Sequence, residues 1–243
     1  MYLSLVDTPS LPSKSLLTAQ AEWLAPARAR LLRRIGIARR RRILDLGAGY
    51  GAVTGELVRR GGGFVAALDR VDTSASLVTT APFLCGDALS LPFADSSFDL
   101  IFCQCVLMWV TQAVPVASEI YRVLEPGGVF VALEPDYAGM IEYPPEIATK
   151  DIWVSALARV GAKPRLGRML PRLLTAAGFA VRVDLLERLS APSQLRFDFL
   201  RTLPLLPEEK ISLDQAWRMA DNLDGSWEQV VYLPFFLMTA TKS

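Results

Sequence analysis

Not one of the 243 residues is a histidine. The commonest general base and the commonest transition-metal ligand are therefore missing together, which excludes histidine-dependent hydrolases and most zinc enzymes and leaves no metal to be expected. Cysteine is scarce as well. Cys85, Cys103 and Cys105 are an odd number inside apolar runs, so a disulfide framework is excluded and reduced, mostly buried thiols are expected. Long apolar runs are absent. The most extended, Leu100 to Val110, is interrupted by Gln104 and falls short of the roughly 18 to 20 residues that span a bilayer, so no membrane span is expected. Met1 to Pro12 lacks the basic-then-apolar order of a secretory signal, and the expected location is the cytoplasm.

Against these absences stands ample material for a core. An apolar fraction of 51%, a charged fraction of 21% and a mean hydropathy of +0.29 exclude a disordered chain. Composition offers no dividing linker, so residues 1–243 are expected to form one domain. The net charge of +1 is unevenly spread: residues 1–42 carry nine basic side chains, Lys14, Arg28, Arg30, Arg33, Arg34 and Arg39 to Arg42, against Asp7 and Glu22. Such a cluster can be a nucleic-acid footprint, but no aromatic side chains interleave with the arginines. The solvated face of a helix and its exit loop is the preferred reading, and no nucleic-acid partner is expected.

Ser15 to Ile35 has the apolar spacing of an amphipathic helix, which Pro26 should kink or divide. Residues 1–40 are thus an N-terminal helical segment. Arg42 to Leu46 reads as a strand that runs straight into Gly47-Ala48-Gly49-Tyr50-Gly51 and a helix over Val53 to Arg60. Further strands are expected at Phe64 to Leu68, Pro82 to Cys85, Phe98 to Cys103, Val129 to Leu133, Phe179 to Leu186 and Phe235 to Thr241, with helices at Val114 to Leu124 and Leu170 to Ala177. This alternation predicts a doubly wound, mostly parallel α/β sheet, with residues 41–135 as its ligand-binding core. The connections 137–168 and 190–230 contain helical stretches, Ile152 to Val160 and Ser212 to Asn222, and are longer than plain links require. They are expected as lid insertions over the site.

A glycine-rich turn between a first strand and its helix lets the backbone approach a ligand closely. The spacing Asp45-x-Gly47-x-Gly49-x-Gly51 is neither the dinucleotide fingerprint nor a P-loop, which favours a ligand without a pyrophosphate. Asp69 closes the second strand 18 residues after Gly51, where a carboxylate can accept from both hydroxyls of a ribose or simply cap the next helix. Asp87, at the end of the third strand, can accept from an adenine amine, though alone it would be read as a turn residue.

Together these segments resemble the class I S-adenosylmethionine-dependent methyltransferases, most closely the branch with the ubiquinone/menaquinone biosynthesis methyltransferases. The resemblance rests on Ile43 to Gly51, Gly86-Asp87-Ala88 before Leu91-Pro92-Phe93, Ser97 to Ile101, and Arg122 to Gly128, and covers residues 40–135. It implies the Rossmann-like methyltransferase fold of seven strands with an antiparallel last pair, and S-adenosylmethionine as cofactor. It further implies that Gly47, Ala48 and Gly49 lie against the methionine part with Asp45 orienting it, and that Asp69 holds the ribose. Arg70 and Ala88 would border the adenine, Asp87 would bond its amino group, and Gln104 would contribute to the methionine pocket. Tyr50 replaces the small or hydroxyl residue common in that turn.

A sulfonium is already activated, so such an enzyme mainly positions the acceptor and excludes water. Where a proton must leave, the absence of histidine restricts the base to a carboxylate, a tyrosine, water or the substrate itself. Glu134, Asp136, Tyr137 and Glu142, after the fifth strand, are the nearest candidates, with Glu134 equally well read as a structural hydrogen-bonder. Trp109, Trp153, Trp217, Trp227 and Phe235-Phe236 can wall an apolar pocket or simply fill the core. The expectation is methyl transfer to a small apolar or aromatic molecule. Its rivals are an RNA or protein methyltransferase docking through Arg28 to Arg42, and a cofactor-binding protein that transfers no methyl group.

Overall fold

The computed structural model describes residues 11–77, 80–186, 189, 192–223 and 227–243. In chain order the elements are α1 (Lys14–Arg34), β1 (Arg42–Leu46), α2 (Thr54–Arg60), β2 (Phe64–Asp69), β3 (Phe83–Cys85), β4 (Phe98–Gln104), α3 (Ala113–Val123), β5 (Leu124–Pro135), β6 (Ile141–Tyr143), α4 (Lys150–Arg159), α5 (Leu166–Ala176), β7 (Phe179–Leu185), α6 (Leu195–Arg201), α7 (Pro207–Asp221), β8 (Val230–Tyr232) and β9 (Phe235–Lys242). Seven strands form one sheet in the order β3-β2-β1-β4-β5-β9-β7, while β6 and β8 pair apart from it. β1 to β5 pair in parallel, and β9 runs antiparallel to both β5 and β7. This is the doubly wound sheet with an antiparallel last pair expected from the sequence.

Strand residues alternate between two apolar layers because successive side chains leave opposite faces of a strand. Ile43, Val65, Leu100, Phe102, Val131 and Leu237 pack with Leu24, Leu31 and Leu32 of α1 and Leu57 of α2. Leu44, Ala66, Ile101, Phe130, Ala132 and Met238 face the other way, onto Ile120 of α3, Leu157 of α4 and Leu170 of α5. Among the described residues no helix is long and apolar enough to cross a membrane.

Several expectations need correction. α1 runs unbroken through Pro26, so the proline does not divide it. Proline has no N–H for the Glu22 carbonyl a turn earlier, and the helix continues without that bond; separately, Arg28 Nη1 donates to the Ala21 carbonyl at 2.9 Å. Arg28 is consequently buried, not part of a solvated face. Arg34 pairs with Asp184, Arg40 donates to the Ile35 and Asp99 carbonyls, and Arg42 pairs with Glu125, so the cluster is divided among separate partners. Cys85 is exposed on the short strand β3, whereas Cys103 is buried and Cys105 half-buried, all three as free thiols. The helix α6 and the small ribbon β6-β8 have no counterpart among the elements expected. Of the N-terminal stretch only Leu11 and Pro12 are described.

Motif residues that touch no ligand have clear structural work. Arg122 in α3 donates to the Leu91 and Phe93 carbonyls and pairs with Asp95 and Glu119, which ties the Leu91-Pro92-Phe93 loop to the helix. The buried Asp99 carboxylate accepts from the Arg41 and Arg42 amides at 2.6 and 3.0 Å, anchoring the start of β1 to β4. Asp99→Ala would orphan both donors and should cost roughly 2–4 kcal/mol of stability in urea unfolding, whereas a change below about 0.5 kcal/mol would show the anchor to be dispensable.

Candidate cofactor and acceptor site

In a doubly wound sheet, the chain leaves neighbouring strands in opposite directions at one point, and a crevice opens beyond their carboxyl ends. Here that point lies between β1 and β4, since β2 and β3 extend one edge and β5, β9 and β7 the other. A cavity of about 280 Å³ opens there. The turn after β1 forms one wall. Gly47 has φ of +74°, and a Cβ on it would lie 2.3 Å from Val106 Cγ2, so only glycine fits where the two crossovers meet. The Gly47 and Ala48 amides both donate to Leu68 O, at 2.8 and 3.0 Å.

Asp69 is held in the same network. Its Oδ2 accepts from Gly49 N at 2.8 Å and its Oδ1 from Val71 N at 3.0 Å, while Thr73 Oγ1 donates to Gly49 O at 2.5 Å. It therefore shapes both the glycine turn and the turn after β2, and it lines the cavity. A carboxylate has about four acceptor positions, so two remain for the hydroxyls of a ribose. Arg70, Asp87 and Ala88 line the cavity near it. Asp87 is exposed and accepts from Leu89 N at 2.9 Å, and Ala88 is buried.

Asp45 is buried at the end of β1, where Thr54 Oγ1 donates to its Oδ2 at 2.6 Å. Burial pushes its pKa up to about 6, against the opposing effects of the Thr54 bond and the Arg28 charge. Gln104 ends β4 at the cavity, and its Oε1 accepts from Arg28 Nη1 at 2.9 Å. Asp45, Gly47, Ala48, Gly49, Asp69, Arg70, Asp87, Ala88 and Gln104 thus all border one cavity. The sequence reading expected 190–230 over the site but singled out neither Phe199 of α6 nor Thr202 and Leu203 just after it, and it missed the contribution of α1 through Leu17, Gln20 and Ala21.

The candidate bases separate sharply. Glu142 accepts from the Thr149 and Lys150 amides and Thr149 Oγ1, capping α4. Asp136 is buried in an ion pair with Arg168. Glu134 is fully buried and does not line the cavity: Oε1 accepts from the Val106 and Leu107 amides at 2.9 Å each, and among the described residues Oε2 has no partner. Only Tyr137 lines the cavity, stacked on Trp153 with ring centroids 4.4 Å apart, and burial drives its phenol pKa well above the usual range. Of the aromatic candidates Trp109 and Trp153 line the cavity, whereas Phe235 is buried in the core and Trp227 lies largely exposed.

Burial also pushes Glu134 up to about 7. Asp45 and Glu134 both hold their protons more tightly folded than unfolded, so the folded chain binds more protons between about pH 4 and pH 7 and loses stability as pH rises through that window. The contribution is fully present only below the unfolded values of 3.8 and 4.5 and is gone by about pH 8, on the order of 3 kcal/mol for each group. Glu134→Gln keeps the Oε1 acceptor without the charge. It should raise the melting temperature at pH 8, leave it little changed at pH 5, and flatten the slope between them; an unaltered slope would show that Glu134 ionises freely in the folded chain.

A family model described as a methyltransferase domain matches residues 44–132. The chain is 30% identical over 127 residues to the ubiquinone/menaquinone biosynthesis C-methyltransferase UbiE of Roseobacter denitrificans, covering 48% of this chain and 46% of that protein. It is 41% identical over 101 residues to the demethylmenaquinone methyltransferase of Mycobacterium sp. (strain KMS), covering 41% and 44%. It thus spans less than half the length of these two relatives. The structure of Haemonchus contortus phosphoethanolamine N-methyltransferase 2 in complex with S-adenosyl-L-methionine shares the fold, with a TM-score of 0.59 at 16% identity over 93% of this chain and 56% of that one. Residues 44–132 thus match a methyltransferase domain, the sheet order is that of the Rossmann-like methyltransferase fold, and over about half its length the chain is similar to the UbiE-like branch of the class I S-adenosylmethionine-dependent methyltransferases.

Proposed function

We propose that the chain transfers the methyl group of S-adenosylmethionine to a small, largely apolar or aromatic acceptor. One observation carries the reading: a single cavity runs from the glycine turn and the Asp69 carboxylate to a wall made by Tyr137, Trp153, Leu157, Phe199 and Leu203. Its first part offers the Asp69 and Asp87 carboxylates, the Gln104 amide and a turn bare of side chains at Gly47 and Gly49, suited to a nucleoside and an amino acid. Its second part is almost wholly apolar and shaped by a stacked aromatic pair. Val106 packs against Gly47 so closely that no side chain fits there, which keeps the turn as bare backbone at the cavity wall. Both relatives named above are quinone-biosynthesis methyltransferases, and a flat, apolar acceptor accords with that.

The cofactor supplies an activated methyl group on a positively charged sulfur. The chain's own residues then have to bind, orient and keep water out. Asp69 would accept from the ribose, and the turn from Gly47 to Gly49 would lie along the methionine part. α4 and α6, from the connections 137–168 and 190–230, act as a cover that seals the apolar end. Among the described residues no carboxylate reaches the acceptor wall, because Glu134, Asp136 and Glu142 are engaged elsewhere. Tyr137 is too weak an acid to serve readily as a phenolate base and acts as a wall and a hydrogen-bonding group. The acceptor is therefore one that ionises by itself or reacts without losing a proton first.

A ligand that binds only the folded chain raises its melting temperature by mass action. S-adenosylmethionine and S-adenosylhomocysteine should do so far more than NAD or ATP at equal concentration. Asp69→Ala should weaken S-adenosylhomocysteine by roughly 1.5 to 3 kcal/mol in calorimetry, the range for hydrogen bonds to a charged group. A larger shift with NAD, or undiminished affinity in Asp69→Ala, would refute this assignment of the cavity. Cofactor turnover with a panel of aromatic metabolites then tests the acceptor class, and turnover confined to polar acceptors would contradict it.

A further inference from the structure

Arg28 is an arginine on the buried stripe of α1, only 3% exposed. Its Nε and Nη2 meet Glu56 Oε2 at 2.8 and 2.7 Å, and its Nη1 donates to Ala21 O and Gln104 Oε1, both at 2.9 Å. A guanidinium carries donors and no acceptor. Gln104 must therefore present its carbonyl oxygen to Arg28, which turns its amide nitrogen away. Among the described residues nothing accepts from that Nε2, the atom is not sealed from solvent, and Gln104 lines the cavity beside the glycine turn.

We infer that Arg28 is a positioning residue that holds the Gln104 amide as a hydrogen-bond donor to the carboxylate of the cofactor's amino acid end. The inference rests on the reading that the cavity takes S-adenosylmethionine. Electrostatics favour the same pole: Glu56 is shared with Arg60 at 2.5 Å, so the Arg28-Glu56-Arg60 group keeps one net positive charge beneath the amide. Asp45, a carboxyl that also lines the cavity, is turned to Thr54, and burial raises its pKa. Arg28 does not line the cavity, so it acts through Gln104.

A purely structural role for Arg28, docking α1 on the sheet, makes a different prediction for ligands. S-adenosylhomocysteine carries the amino acid end, whereas 5′-methylthioadenosine keeps the nucleoside and thioether without it. In calorimetry Arg28→Met should weaken S-adenosylhomocysteine about 10- to 100-fold and leave methylthioadenosine unchanged. Gln104→Glu keeps a partner for Arg28 but has no donor left. It should leave the ligand-free melting temperature equal or higher, weaken S-adenosylhomocysteine at least as much, and again spare methylthioadenosine. Should Arg28→Met not fold, Gln104→Glu decides alone. Equal losses for both ligands, or undiminished S-adenosylhomocysteine binding in Gln104→Glu, would overturn the inference. A wild-type chain that binds neither compound would refute the cofactor reading itself and the role of Arg28 with it.

Discussion

The meeting of Gly47 and Val106 is the constraint on which the site depends. No side chain fits at Gly47, and its positive φ bends the chain so that the Gly47 and Ala48 amides share Leu68 O and the Gly49 amide reaches Asp69. Val106 is fixed from the other side, because the Glu134 carboxylate of β5 accepts the Val106 and Leu107 amides. Cys105, just before it, takes a φ of 57°, an uncommon conformation for a residue with a side chain, and its amide is held by Leu133 O. Four adjacent strands, β2, β1, β4 and β5, are thereby linked through their carboxyl ends, and the cavity is the space this linkage leaves.

That linkage uses polar groups that a core would ordinarily avoid. Asp45, Glu134 and Arg28 are all buried within the strand ends or against them. A buried carboxyl with an unpartnered oxygen, as at Glu134, destabilises the fold when it ionises, and hydrogen bonds offset only part of that cost. The groups persist where they order turns whose shape the ligand requires. The surface arginines are another matter: Arg34 and Arg42 pair with single acids, and exposed pairs of that kind contribute little.

Much of this was legible in the sequence wherever periodicity or glycine spacing had a local cause. The strands of the sheet and the helices α1, α2, α3, α4, α5 and α7 were marked by apolar patterning, and Asp45, Asp69, Asp87 and Gln104 by their place just at or after strand ends. The elements α6, β6 and β8 were not, because they are short and owe their form to tertiary contacts such as the burial of Phe197 and Leu200. The base candidates were chosen by nearness to the end of β5, yet chain proximity does not say which way a side chain faces: Glu134 turns to the Val106 and Leu107 amides, and Tyr137 lines the cavity wall. Arg28 did leave a signal. It comes after Leu17, Ala21 and Leu24 at helical spacing, so an arginine stands on the apolar stripe, and counting it with the exposed cluster concealed that.

The most direct test of this account is a structure of the chain with S-adenosylhomocysteine bound. The account predicts the nucleoside between Asp69 and Asp87, the amino acid carboxylate within hydrogen-bond distance of Gln104 Nε2, and the sulfur facing the Tyr137-Trp153 wall. A ligand lying outside the crevice between β1 and β4, or one bound there with its sulfur turned away from that wall, would contradict it.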